Sequence, residues 1–199
     1  MGTLTEYRHP DSRTWHPLTG GTAVWVFMGV EVLTFGMFLL GHSWGWRSHA
    51  DDYAQSQQLL HVASAARGTA FLLIGSLFAY LGVLAHQEER FGVGARWLAA
   101  AAVTGVLFSV NKIVEYGSPE LAGISLSTNG FWFSYLFLTG LHLLHVLGGV
   151  GLFAWLAVAS RGGPLTDDAP VSVEAGAVYW HLVDLIWVLL FPILYLMHP

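Results

Sequence analysis

Glu31, Lys112, Glu115 and Asp184, together with His142, His145 and His181, are the residues of this chain that place ionisable chemistry inside long apolar stretches. A charge at membrane depth costs about 3 kcal/mol or more, so each is a candidate for function or for a specific pairing. Glu31 falls about nine residues into the first apolar run, near its middle. A carboxyl there is protonated or paired, as a proton acceptor or as a structural acid facing neighbouring helices. Lys112 and Glu115 are spaced i, i+3, one helical turn apart, and can neutralise each other. His142 and His145 repeat that spacing; such a pair holds a metal or haem, or hydrogen-bonds to neighbouring helices. A zinc helix usually reads HExxH, which is absent, so hydrogen bonding is the stronger reading. His181 and Asp184 again stand at i, i+3, where an Asp can orient an imidazole in a proton relay or merely satisfy it.

Five apolar runs must position these groups, near residues 22–41, 68–85, 97–116, 131–160 and 178–197. Each meets the roughly 17–25 residues that a spanning helix needs. The sequence therefore predicts an all-α membrane bundle of five helices, with residues 1–21 as a cytoplasmic tail and 22–199 as one domain. Only 11% of the 199 residues are charged and 54% are hydrophobic, far from the balance of a water-soluble domain. The chain has no cysteine, which excludes disulfides, thiolate metal sites and a thiol-bound dinuclear copper centre. The net charge of −5 describes no nucleic-acid surface. The first residues, MGTLTEYRHPDSRTWHP, show no cleavable signal pattern. Arg8, Arg13, Arg90, Arg96 and Arg161 stand on one side of the spans and Arg47 and Arg67 on the other, which predicts the N-terminus inside and the C-terminus outside.

Under that topology Glu31, His142 and His145 share the central layer. His181 and Asp184 lie one layer inward, Lys112 and Glu115 outward, so the expected arrangement is a polar cluster within the bundle. Residues 47–66 read as a surface helix leading into the second span. Ser76, Ala79 and Gly82 approximate a small-residue face for close packing. Gly140, Gly148, Gly149 and Gly151 mark further close approach around the histidines. Trp44, Trp46 and Trp180 suit the membrane interface, with Trp187 further in. The fourth run is longer than a bilayer requires, so tilt or projection is expected. Pro192 frees a backbone carbonyl that neighbours must satisfy.

Four of these contexts resemble subunit III of haem-copper oxidases. FMGVEVLTFGMFL resembles the helix of that family carrying its carbodiimide-reactive glutamate, a role that falls on Glu31. NKIVEY resembles the helix that ends in Glu-Tyr, here Glu115 and Tyr116. LTGLHLLHVLGG resembles the T-G-x-H-x-x-H-V helix, with Thr139, Gly140, His142, His145 and Val146. YWHLVDLIWVLLF resembles the W-H-x-x-D-x-x-W helix, with Trp180, His181, Asp184 and Trp187. The four motifs occur in family order. The common form has two further helices ahead of the glutamate helix, and with them a lipid cleft; only 21 residues precede it here. LLFPILYL, and Lys112 three residues before Glu115, look more like the accessory branch associated with nitric oxide reductase.

The resemblance implies a non-catalytic subunit in a bacterial plasma membrane, supporting the stability and proton uptake of a haem-copper catalytic subunit. That partner is an oxidase subunit I or the large subunit of nitric oxide reductase. Haem and copper are expected in the partner and no cofactor or metal in this chain, apart from bound phospholipid. Glu31, Glu115, His142, His145, His181 and Asp184 would form the buried polar network, while Gly140, Gly148, Gly149 and Trp187 pack the helices. The rival reading is an independent membrane metalloenzyme with Glu31, His142, His145 and Asp184 as ligands. Di-iron bundles use Glu-x-x-His, which none of the apolar runs contains. A transporter would be expected to show an inverted repeat, and none is visible.

Overall fold

The computed structural model describes residues 21–165 and 172–197, so the N-terminal tail, with Arg8 and Arg13, lies outside the described residues. These form helices and turns with no strand. Helix α1 spans Gly21–Ser48, α2 Ala50–Gln57, α3 Val62–Gln87, α4 Phe91–Tyr116, α5 Gly130–Ala159 and α6 Val173–Phe191. Five are long and apolar enough to cross a membrane, α6 together with the wider π-type turn Pro192–Leu196 that continues it. The helices outrun the apolar cores at several ends. The polar starts of α3, from Val62, and α4, from Phe91, remain helical because backbone hydrogen bonding does not stop where lipid contact does. The 47–66 segment holds the short helix α2 and the first turn of α3.

Helices α3 and α4 form an antiparallel hairpin joined by a two-hydrogen-bond turn. Glu89 N–H donates to the His86 carbonyl at 3.0 Å, and Arg90 N–H reaches back to Ala85 at 2.8 Å. The residue between must be left-handed, and Glu89, at φ 58°, takes a place that glycine usually fills. Apolar attraction does not drive helices together in lipid, so small residues that allow close contact must do so. Gly68, Leu72, Gly75, Ala79 and Gly82 form the buried stripe of α3. A methyl on Gly82 would stand 2.9 Å from Leu98, and one on Gly68 3.1 Å from Phe108. Gly75 faces Thr104 more closely still. Ser76, expected on this face, stands at its edge and bonds to α6.

Helix α5 packs on α4, α6 closes the bundle against α3 and α5, and α1 leans on α5 and α6. Trp180, read as interfacial, is instead fully buried in a slot made by three helices. Gly75, Gly105 and Gly149 line it, and Phe153 stacks on the indole at 5.0 Å. Gly148 meets the Tyr179 hydroxyl, but Gly140 and Gly151 have nothing within 4 Å of an added methyl, so they are not packing glycines. Asn129 caps α5 by accepting from Trp132 N–H at 3.0 Å and donates to Ser56 of α2. The Leu194 carbonyl, beyond Pro192, accepts from Gln57 at 3.0 Å. Outside the spans, Glu120 is held below the usual carboxylate range by its own backbone N–H and by His61, 3.3 Å away.

Candidate functional site

Lys112 and Glu115 lie on the buried face of α4, and their spacing does pair them, at 3.1 Å. The pair is far more enclosed than an interfacial couple: both side chains are 1% exposed. Enclosure of two charges requires further partners, and aromatic residues of α5 and the Pro192 turn provide them. Tyr135 and Tyr195 each donate to the same Glu115 oxygen at 2.6 Å, and the Lys112 ammonium donates to the Tyr195 hydroxyl. Four rings surround that ammonium, with the Trp187 and Tyr195 centroids at 5.0 and 5.1 Å, and those of Tyr135 and Tyr116 at 5.3 and 5.6 Å. Ring faces stabilise a desolvated cation directly. Tyr116 donates to Thr139 at 2.7 Å, and Thr139 to the Tyr135 carbonyl at 2.6 Å, which extends the network along α5.

His142 borders this cage without hydrogen-bonding to it. Its ring is fully buried, stacked on Trp187 at 5.1 Å and met edge-on by Phe108 at 5.5 Å. Neither ring nitrogen has a hydrogen-bond partner. The expected hydrogen bonds to neighbouring helices are therefore absent for His142, and it packs as an aromatic ring.

His145, one turn on, points to the other side of α5 and meets Glu31 of α1 at 3.2 Å. Phe27 and Phe35 flank the imidazole, and Tyr179 donates to the His145 carbonyl at 2.9 Å. His145 Nδ1 lies 2.8 Å from the Leu141 carbonyl, which can only accept, so Nδ1 carries a hydrogen. That leaves Nε2 toward the Glu31 carboxyl. The pair reaches the bundle's surface, with side chains 16% and 14% exposed. It is a carboxyl–imidazole pair within reach of lipid, whereas Lys112 and Glu115 are sealed.

The expected His181–Asp184 pair does not form. Asp184 turns inward and accepts from Ser76 of α3 at 2.8 Å, while His181 is exposed. Trp187 uses its own N–H toward Thr69, at 2.9 Å. The polar cluster expected within the bundle is thus two separate sites, with Asp184 apart from both on Ser76. Glu31, His142, His145 and Asp184 do not converge as a ligand set. Among the described residues no group of three or more His, Asp or Glu lies close enough to hold a metal.

Tyr135, Tyr195 and Tyr179 are site residues that the sequence reading does not single out, and Ser76 was read only as part of a small-residue face. Tyr135 was detectable, since it stands two turns before His142 on the stripe Tyr135, Leu138, His142, Val146 and Gly149. Tyr195 was not, because its position depends on the Pro192 turn.

The exposure difference yields a labelling prediction. A hydrophobic carbodiimide dissolves in the bilayer and should modify Glu31 first, ahead of the water-exposed Glu88 and Glu89, and should spare the sealed Glu115. Peptide mass mapping reads the result; modification of Glu115 in the folded chain, with Glu31 untouched, would reverse the assignment.

The sequence is 29% identical over 191 residues to cytochrome c oxidase subunit 3 of Alkalihalophilus pseudofirmus, covering 95% of this chain and 92% of that protein. It is 26% identical to a probable quinol oxidase subunit 3 of Staphylococcus saprophyticus, covering 86% of each chain. A haem-copper oxidase subunit I+III of Aeropyrum pernix is 26% identical over 181 residues, which cover 88% of this chain and 22% of that longer protein. A sequence model of cytochrome c oxidase subunit III matches residues 70–198, the stretch that holds the Lys112–Glu115 cage, both histidines of α5 and the Trp180 slot, so the chain belongs to the cytochrome c oxidase subunit III family.

Proposed function

We propose that this subunit III supports the catalytic subunit of a bacterial respiratory oxidase, stabilising it and assisting its proton uptake, and performs no redox chemistry itself. The arrangement of its charges carries this reading. Lys112 and Glu115 are closed off by aromatic rings and hold helices together, whereas Glu31 and His145 meet at the bundle's surface. A carboxylate–imidazole pair of this kind stores and returns a proton without needing a bound substrate. The Aeropyrum relative, named as subunits I and III in one chain, supports subunit I as the partner.

The oxidase names of the relatives favour oxygen as the acceptor, whereas Lys112 and LLFPILYL favour the branch associated with nitric oxide reductase. The plasma membrane, with the N-terminus inside and the C-terminus outside, fits the arginine distribution of the sequence.

The test is turnover per haem of the partner complex isolated with and without this chain. Without it, the partner should keep its haem and turn over oxygen, with lower yield, faster inactivation or slower proton uptake. Total loss of turnover in a fully haem-loaded partner would overturn the supporting role. Reduction of nitric oxide, with none of oxygen, would assign the complex to the other branch.

A further inference from the structure

Helix α1 is held to the bundle unevenly along its length. Phe27, Glu31, Phe35, Phe38 and His42, three or four residues apart, form the stripe that meets its neighbours. The C-terminal half is anchored. Phe35 and His42 are buried, Phe38 lies 4.5 Å from Phe137 of α5, and His42 meets Phe131 of α5 and Tyr53 of α2 at 5.7 and 5.1 Å. The N-terminal half instead exposes Trp25, Val26, Phe27 and Val30, with Phe27 stacked on Tyr179 of α6 at 5.9 Å. Gly36 stands where the halves join, five residues beyond Glu31. A methyl added to it would meet nothing within 4 Å, so close packing does not require glycine there. Glycine is a poor helix former, and it weakens α1 at this joint.

The contact that ties the N-terminal half to α5 depends on a hydrogen. With Nδ1–H committed to the Leu141 carbonyl, a neutral His145 presents the lone pair of Nε2 to Glu31. An ionised Glu31 presents lone pairs as well, and two acceptors 3.2 Å apart in a medium of low dielectric repel each other. One proton on either atom turns the same approach into a hydrogen bond. A second proton preserves it, because Nε2–H then donates to a neutral carboxyl. The titratable groups at this contact are Glu31 on α1, His145 on α5 and Tyr179 on α6, whose hydroxyl donates to the His145 carbonyl. His142 points to the other side of α5, and α2 meets α1 near Gly45 and His42 through Tyr53.

We propose that the N-terminal half of α1 is a proton-gated arm, docked on α5 and α6 while a proton stands between Glu31 and His145 and bent away at Gly36 when that proton leaves. Removal of one proton thereby changes the shape of the subunit as well as its charge. The arm rests on reading the pair as a store for a proton. Loss of the chain can slow the partner while α1 never moves, so the two are refuted by different results.

The chain has no cysteine, so introduced pairs can carry spin labels without background. Val26→Cys/Val158→Cys measures the arm against the end of α5, and Leu40→Cys/Leu126→Cys measures the anchored half; all four positions are exposed. Pulsed dipolar electron spin resonance on the full-length chain in lipid nanodiscs reads both distances from about pH 5 to about pH 10, a range that spans ordinary carboxyl and imidazole titration. From Val26 to Gly36 the helix is about 15 Å long, so a bend of about 20° moves Val26 by about 5 Å. The Val26–Val158 distance should be short and narrow in acid and longer by roughly that amount in alkali, while the Leu40–Leu126 distance stays constant. In Glu31→Gln the amide N–H donates to Nε2 without a titrating proton, so this variant should keep the short distance throughout. An unchanged Val26–Val158 distance in the parent, or the same lengthening in Glu31→Gln, would overturn the proposal. Equal lengthening of the Leu40–Leu126 distance would overturn it too, because the whole helix would then be leaving.

Discussion

Replacing Lys112 with Met should destabilise the chain by about 3–5 kcal/mol, the largest single effect expected here, because it leaves Glu115 as an uncompensated buried charge. Glu115 keeps Tyr135 and Tyr195, but two hydroxyl donors do not replace an ammonium 3.1 Å away. For a chain of this length the loss corresponds to a fall in unfolding temperature of roughly 6–20 °C. The double variant Lys112→Met/Glu115→Gln should regain more than half of it, since a neutral amide oxygen still accepts from both tyrosines and no charge remains buried. Thermal unfolding in detergent, followed by circular dichroism, compares the three proteins. A double variant as unstable as the single one would show that ring packing around Lys112, and not charge balance, sets the stability.

Gly105→Ala should produce the second-largest loss, about 1–3 kcal/mol, with Trp180 displaced from its slot. The added methyl would lie 2.5 Å from Val150 and 2.6 Å from the far edge of the indole. Trp180 cannot retreat easily, because Gly149 on the opposite wall leaves its ring only 2.8 Å from another such methyl. The control is Gly140→Ala, which meets nothing within 4 Å and should be neutral or stabilising by up to about 1 kcal/mol through helix propensity. Tryptophan fluorescence and unfolding temperature report both variants. Equal behaviour of Gly105→Ala and Gly140→Ala would remove the slot from the account of packing.

Those two glycines also show where the sequence was informative and where it was not. Spans were legible because lipid demands an unbroken apolar run, a property of consecutive residues. Helix ends were less so: Val62–Arg67 and Phe91–Arg96 are polar enough to look like loop but stay helical. Lys112–Glu115 was legible because its partners sit one turn apart. Glu31 and His145 could be placed at the same depth, but only the fold brings α1 against α5. His181 and Asp184 misled for the converse reason. Residues at i, i+3 diverge by about 60° around a helix, enough for packing to turn one toward Ser76 and the other outward. Tryptophan is frequent at membrane interfaces, so Trp180 read as interfacial. The slot that buries it uses glycines from α3, α4 and α5, and no local pattern links Gly75, Gly105 and Gly149.

The cage around Lys112 also has an order in time. The chain is synthesised from α1 onward, so α4 is made with its lysine and glutamate well before the ribosome reaches Tyr195, 83 residues later. Until then the two charges have each other and, once α5 follows, Tyr135. The last donor arrives when the Pro192 turn swings Tyr195 inward, with Gln57 of the much earlier α2 holding the turn at Leu194. A nascent chain that stalls within α6 therefore holds an incompletely solvated ion pair inside the membrane. Closure of the cage waits on the Pro192–Leu196 turn, and the ion pair is fully solvated by the protein only when that turn is in place.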